Sequence, residues 1–224
     1  MGQNGGPKLP LSSLSFLLDA GNPTSYSGTG LTVFDLVSAG IGATLVSGVG
    51  FGTTNLGSLN FDGTNDYINV PISSSLFTTE GTMIVWLKND EATPASASNT
   101  GFMGFSSGGS NDHYPWSDGF GYLSTFRNNR VGPITLSTSV TRTNIHMVSV
   151  TSNSSEWKLY QNAVLQYTTS SSGSVTMSNT RIGFSIDQAY NYKGKVYYFM
   201  LYNRVLTADE IKKIYNALKG RYGL

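Results

Sequence analysis

The sequence predicts an all-β sandwich or barrel with a single C-terminal helix. Three observations carry this. Short apolar runs rich in Val, Ile, Thr, Tyr and Phe recur along the chain, separated by Gly, Ser, Asn and Thr, at the spacing of sandwich and barrel strands. Several runs alternate apolar and polar residues, as half-buried strands do. One stretch near the C-terminus has helical periodicity instead. With 224 residues, no repeat of fixed period and no second-domain boundary, one domain is expected over residues 14–224. A chain this long buries roughly 70% of its unfolded surface, so its core requires no disulfide or metal staple.

Residues 1–13 hold Gly2, Gly5, Gly6, Pro7 and Pro10 with little periodicity, the composition of a flexible N-terminal arm. They read either as a plain terminus or as a docking arm gripping through Leu9 and Leu11, with Leu14 next to it. Strands are expected at Ser15–Ala20, Leu31–Leu36, Ser58–Phe61, Tyr67–Val70 and Thr82–Lys88. Further strands are expected at Gly101–Ser106, Gly119–Phe126, Ile134–Ser137, Ile145–Thr151, Glu156–Gln161, Val164–Thr168, Arg181–Ile186 and Lys193–Tyr202. In Glu156–Tyr160, Trp157 and Leu159 face one way and Glu156 and Lys158 the other. Lys193–Tyr202 is apolar on both faces, so it is expected as a central strand covered on both sides. The helix follows. Thr207-Ala208-Asp209-Glu210 has the form of a capping box. Ile211, Ile214, Tyr215 and Leu218 then form one apolar stripe at i, i+3, i+4 and i+7, and Gly220 is the expected stop. Lys212, Lys213, Lys219 and Arg221 read as a solvated face or as a basic patch for an acidic partner.

Composition excludes several classes of function. The absence of cysteine removes disulfide scaffolds, zinc ribbons, Fe–S sites and thiol catalysis. Charged residues are 12% of the chain, about half the usual ~25%, while Gly, Ser, Thr and Asn together make up 97 of 224 residues. The surface is therefore polar but mostly uncharged. A net charge of +1 argues against nucleic acid as a partner. No run approaches ~18 consecutive apolar residues, so no membrane-inserting helix is expected. The N-terminus lacks the basic start and unbroken apolar run of a signal peptide.

No catalytic constellation is visible. The four glutamates, Glu80, Glu91, Glu156 and Glu210, form no local pair of the glycosidase kind, and His113 and His146 lack zinc-site spacing. No nucleophile elbow or phosphate loop occurs, so no enzyme is expected. Two segments remain. Asp62, Asn65 and Asp66 in FDGTNDY cluster oxygen donors on a turn, which suits either a calcium ion or a plain Asx turn. SGGSNDHYPWSDGFGY carries Asp112, His113, Tyr114, Trp116 and Asp118 among glycines. Aromatic rings beside Asp suit the CH faces and hydroxyls of sugars, and equally a protein interface or a loop folded back on the sandwich. This segment is expected as a loop at one end, outside the sheet hydrogen bonding.

The segment NIHMVSVTSNSSEWKLYQNAVL, from Asn144 to Leu165, resembles the laminin-G/concanavalin-A-like pattern of a V-x-V-T strand, an Asn/Ser turn and a W-x-L-Y strand. Asn162-Ala163 stands where that pattern has Asn-Gly. RIGFSIDQAYNYKGKVYYFMLYNRVLTADEI, from Arg181 to Ile211, is similar to the family's closing segment, and LLDAGNPTSY and FDGTNDYI to its opening hairpins. The resemblance covers about residues 15–219 and implies a jelly-roll sandwich of two antiparallel sheets, often with calcium and a glycan or protein ligand at one rim. The acidic residue that many relatives carry after the Gly-Lys pair is replaced by Val196 and Tyr197, which weakens an inherited calcium site. The missing cysteine and signal peptide, and the ending YNALKGRYGL, are further similar to laminin-G-like domains of tailed-phage virion proteins. The resulting expectation is a non-enzymatic virion surface protein, a capsid decoration or fibre component assembled in the host cytoplasm. Its expected partners are viral capsid or tail proteins, copies of itself in a homo-oligomer, and a host-surface glycan. The alternatives are a cellular or secreted carbohydrate-binding module, calcium-dependent or not, and a glycan hydrolase of the same fold.

Overall fold

The computed structural model describes residues 9–38, 40–71, 80–90, 100–101, 103–107, 110–113, 116–117, 123–124, 126–127, 129–130, 143–170, 180–183 and 191–224. In chain order the strands begin with β1 (Leu14–Asp19), β2 (Thr32–Phe34), β3 (Gly42–Val46), β4 (Gly50–Gly52), β5 (Ser58–Asp62), β6 (Tyr67–Val70) and β7 (Gly81–Asn89). Short strands follow: β8 (Thr100–Gly101), β9 (Met103–Ser107), β10 (Ser110–His113), β11 (Trp116–Ser117), β12 (Leu123–Ser124), β13 (Phe126–Arg127) and β14 (Asn129–Arg130). The chain closes with β15 (His146–Ser152), β16 (Glu156–Gln161), β17 (Val164–Ser170), β18 (Thr180–Ile182), β19 (Lys193–Tyr202) and helix α1 (Ala208–Leu218).

The fold is an all-β sandwich of two antiparallel sheets with one C-terminal helix. The larger sheet runs β17-β16-β15-β7-β19-β5-β4, with β1 also paired to β19. The smaller runs β10-β9-β18-β6-β3-β2. Strand β19 is long enough to hold two partners along one edge: β5 opposite Lys193–Val196 and β1 opposite Tyr198–Tyr202. Side chains alternate along β7. Met83, Val85 and Leu87 enter the core between the sheets, beside Val148, Val150, Trp157, Leu159, Phe199 and Leu201. Val33, Leu45, Ile68, Val70 and Ile182 of the smaller sheet complete that core. Ile84 and Trp86 point the other way, into a second core with Met147, Tyr160, Tyr198, Met200, Ile211 and Ile214. The two-faced β19 is thus covered on both sides, as its sequence predicts. A register shift between Val196 and Tyr198 lets both Tyr197 and Tyr198 join the outer core.

Helix α1 explains that outer core. Thr207 Oγ1 accepts from the Glu210 N–H, and the Glu210 carboxylate accepts from the Thr207 N–H, closing the capping box. Arg204 grips the same carboxylate with two nitrogens, at 2.9 and 2.6 Å. Ile211 and Ile214 are fully buried, and Tyr215 stacks on Trp86 with ring centroids 5.6 Å apart. Gly220 is not the stop. The chain tightens into a 3-10 turn over Lys219–Tyr222, and this helical segment stops at Gly223, with φ +73°. The tighter turn swings Tyr222 onto Trp86, at 4.6 Å between centroids.

Strands β3 and β4 escape the sequence reading because they are short, each opens on glycine, and Gly40, Gly42, Gly48, Gly50 and Gly52 read as turn punctuation. The strand expected at Ile134–Ser137, the first part of that at Gly119–Phe126 and residues 184–186 lie outside the described residues. So do residues 1–8 of the expected arm. From residue 9 onward, Leu9 packs on the outer core, Ser12 O accepts from Arg204 Nε, and Ser13 O accepts from the Asn203 N–H.

Candidate functional site

The segment carrying Asp112, His113 and Trp116 is not the free loop that its composition suggests. Asp112 and His113 sit in β10, opposite Phe105 and Gly104 of β9, on the outer strand of the smaller sheet. Trp116 lies in β11, paired with Gly101 of β8 and Ser124 of β12. Sheet hydrogen bonding therefore reaches into the segment. The missed signal is Gly108-Gly109 between Ser107 and Ser110, a two-residue connection of the kind that tight hairpins use. Tyr114 and Asp118 lie outside the described residues.

Asp62, Asn65 and Asp66 share one turn between β5 and β6 but differ in exposure. Asp62 and Asn65 face solvent, while Asp66 is 2% exposed. Asp62 Oδ1 accepts from the Thr64 N–H at 2.7 Å, and Asp66 Oδ2 accepts from the Asp62 N–H at 3.0 Å. The first is the bond of an Asx turn, and the second ties the Asp66 carboxylate back to the backbone at the start of the turn. Burial raises the Asp66 carboxyl above its ordinary range, and its Oδ1 has no hydrogen-bond partner among the described residues. Among the described residues, no three His, Asp or Glu side chains converge as a metal-binding group.

The structure brings together a different set of residues, around a 3-10 turn at Thr54–Leu56. Asn55 and Leu56 both adopt left-handed backbone, at φ +54° and +67°. Asn tolerates this region; a leucine there costs about 1–2 kcal/mol. Strain of this kind persists only where surrounding contacts enforce it. Here the enforcing contacts are visible. A Cβ on Gly57 would stand 2.6 Å from the Ala20 carbonyl oxygen, and one on Gly21 would overlap the Leu56 carbonyl. Arg221 pairs with both Asp19 oxygens, at 2.8 and 2.7 Å, and also donates to Leu56 O. The turn is thus clamped between the end of β1 and the C-terminal turn.

A cavity of about 310 Å³ opens on each side of this turn. The first is lined by Tyr26, Ser27, Phe51, Thr53, Leu56 and Gly57, together with the chain at residues 20–23. The Tyr26 and Phe51 rings meet edge to face, 5.3 Å apart. The Tyr26 hydroxyl is fixed by donating to Gly30 O, and burial raises its pKa. Among the described residues, no charged side chain lines this cavity. The second is lined by Asn55, Lys88, Thr143, Asn144, Ile145 and Tyr222. Burial pushes the Tyr197 hydroxyl up, and the Asn55 side chain beside it opposes that shift. Both cavities lie at the lower end of the ~300–1,000 Å³ range of small-ligand pockets. No periodicity reveals them, because their walls come from segments far apart in sequence.

The sequence family described as the Concanavalin A-like lectin/glucanases superfamily matches residues 62–212. Among curated proteins, none matches in sequence. Trypanosoma rangeli sialidase in complex with sialic acid superposes with a TM-score of 0.74 at 15% identity. The alignment covers 95% of this chain but 34% of the sialidase, so the chain spans about a third of the length of that enzyme. Domain 4 of the GH43 extracellular arabinanase AbnA from Geobacillus stearothermophilus, in complex with arabinotriose, gives a TM-score of 0.67 at 13% identity. There the alignment covers 90% of this chain and 98% of that one. The binding domain of botulinum neurotoxin serotype D gives 0.69 at 14% identity, with coverages of 91% and 51%. At these identities the likeness is one of fold.

Proposed function

This chain belongs to the concanavalin A-like lectin/glucanases superfamily, and on that premise we propose that it is a non-catalytic carbohydrate-binding module that takes a neutral sugar beside Tyr26 and Phe51. One observation carries the assignment: a cavity with no charged side chain among its described lining residues, in which an aromatic pair stands beside hydroxyl and backbone groups. A pyranose or furanose ring offers CH groups to the Phe51 ring and hydroxyls to Ser27, Thr53 and the backbone near Gly57. Buried aromatic area supplies affinity, and the polar groups supply orientation. The arabinotriose complex of the AbnA domain supports a neutral sugar as the ligand class.

The test is a panel of neutral oligosaccharides with wild type, Phe51→Ala and Trp116→Ala, each with a melting curve. Phe51→Ala is expected to weaken binding at least about tenfold while the protein still melts cooperatively. Loss confined to Trp116→Ala would move the site to the segment of Asp112, His113, Tyr114, Trp116 and Asp118. A wild type that retains no sugar would overturn the assignment.

Two narrower readings belong here. A calcium ion at the Asp62–Asp66 turn is favoured by the unpartnered Asp66 Oδ1; a Tm that rises with calcium and falls with chelator supports it, and an unmoved Tm removes it. A virion component, with capsid or tail partners, self-association and a host glycan, is favoured by the cysteine-free, charge-poor composition. Its test is co-purification with particles at fixed stoichiometry.

A further inference from the structure

The cavity on the other side of the Thr54–Leu56 turn has different chemistry. Lys88 lines it, and Lys88 stands directly opposite Lys195 across the β7–β19 pair. Like charges facing each other on a sheet are unfavourable. Neither ammonium is in an ion pair among the described residues. Asp90 follows on the same strand end, exposed, and leaves the trio with a net positive charge. Tyr222, only 7% exposed, contributes to the wall of this cavity. Asn55, Thr143 and Asn144 add amide and hydroxyl groups around it. Lining amide and hydroxyl groups, beside a cation that no carboxylate among the described residues neutralises, call for a ligand that is both anionic and rich in hydroxyls.

We propose that this cavity is a second sugar site, selective for a carboxylate-bearing sugar, with Lys88 holding the carboxylate and Asn55, Thr143 and Asn144 holding ring hydroxyls. The site rests on the carbohydrate-binding reading but shares no side chain with the Tyr26–Phe51 cavity. The strained turn is the wall common to both. An acidic peptide would satisfy Lys88 but leave the amide and hydroxyl groups poorly matched, so the sugar is the better occupant.

The test is calorimetric titration of the full-length chain with trigalacturonic acid and with sialic acid, against a neutral galactose trimer and tri-glutamate. At least one acidic sugar is expected to bind at least about tenfold more tightly than the neutral trimer to this site, and the two arms tell a uronic from a sialic carboxylate. Binding is expected to weaken as salt rises from 50 to about 300 mM, since an exposed charge contact is screened. Lys88→Gln is expected to reduce acidic-sugar affinity at least about tenfold with an equal or higher Tm, because it also removes the Lys88–Lys195 opposition. Asn144→Ala is expected to reduce it about threefold without loss of stability. Neutral-sugar binding stays intact in both variants and is lost only in Phe51→Ala, so failure of one site is distinguishable from failure of the other. Acidic sugars that bind no better than the neutral trimer, tri-glutamate that binds as well as they do, or unchanged affinity in Lys88→Gln would overturn the proposal.

Discussion

Leu56 shows how a single residue records a constraint that no local preference explains. It is 65% exposed, in left-handed backbone, and next to a glycine that no other residue can replace. Exposure means that its side chain contributes little to the core, while its backbone carries the strain. Leu56→Gly is therefore expected to raise stability by up to about 1 kcal/mol, the relief of strain being partly offset by glycine's greater unfolded-state entropy. A denaturant melt checks this, and a fall in stability would show that the Leu56 side chain holds the turn. Asn55 needs no such relief, since a short amide tolerates φ +54° and its side chain lies against the Tyr197 hydroxyl.

At the scale of the element, α1 is held by its cap and by its apolar stripe, and the two respond to different perturbations. Arg204 at Glu210 drives the carboxyl down to about 2, with the Thr207 N–H and hydroxyl adding to the shift. A group depressed in the folded state contributes stability above its unfolded pKa and loses it as pH falls through the folded value. The helix cap is thus intact above about pH 4.5 and is lost progressively towards pH 2. The Glu210 side chain remains 23% exposed, so the loss is on the order of 1 kcal/mol. Comparing acid melts of wild type and Glu210→Gln isolates it: the variant is expected to start less stable and to fall less between those values. The stripe is insensitive to pH. Ile214→Ala removes a fully buried side chain facing Trp86 and the outer core, and is expected to cost about 2–5 kcal/mol by denaturant melt. A shift under about 0.5 kcal/mol would mean that α1 is not packed on the sheet.

For the whole molecule, the decisive feature is that one sheet serves two cores. Phe199 and Leu201 of β19 enter the core between the sheets, and Met200 and Tyr202 enter the core beneath α1. Neither core can be lost without exposing the other face of the same strands. Unfolding is therefore expected to be one cooperative transition. Trp157 reports from the inner core and Trp86 from the outer. Tryptophan fluorescence and far-UV circular dichroism are expected to change with the same midpoint, and two separated transitions would show that the helical layer melts independently.

Legibility in the sequence follows the range of the physics involved. The helix cap, the alternation of Trp157 and Leu159, the two apolar faces of β19 and the strand at Tyr67–Val70 depend on neighbours within a few residues, so composition and period determine them. Those elements, with the family pattern in the closing segment, were enough to specify an antiparallel sandwich with one C-terminal helix. The short strands β3 and β4, set among glycines, and the pairing of Asp112 and His113 were not legible, because a weak strand is decided by its partner rather than by its own propensity. Gly223 rather than Gly220 ends the helical segment for the same reason: Tyr222 must reach Trp86. The two cavities are the extreme case. Tyr26 with Phe51, and Lys88 with Asn55 and Tyr222, meet only because Gly21 and Gly57 let two backbones touch and Arg221 binds Asp19 across 202 positions of sequence. Only tertiary structure decides such meetings, since they depend on which distant segments the completed sheets bring into contact.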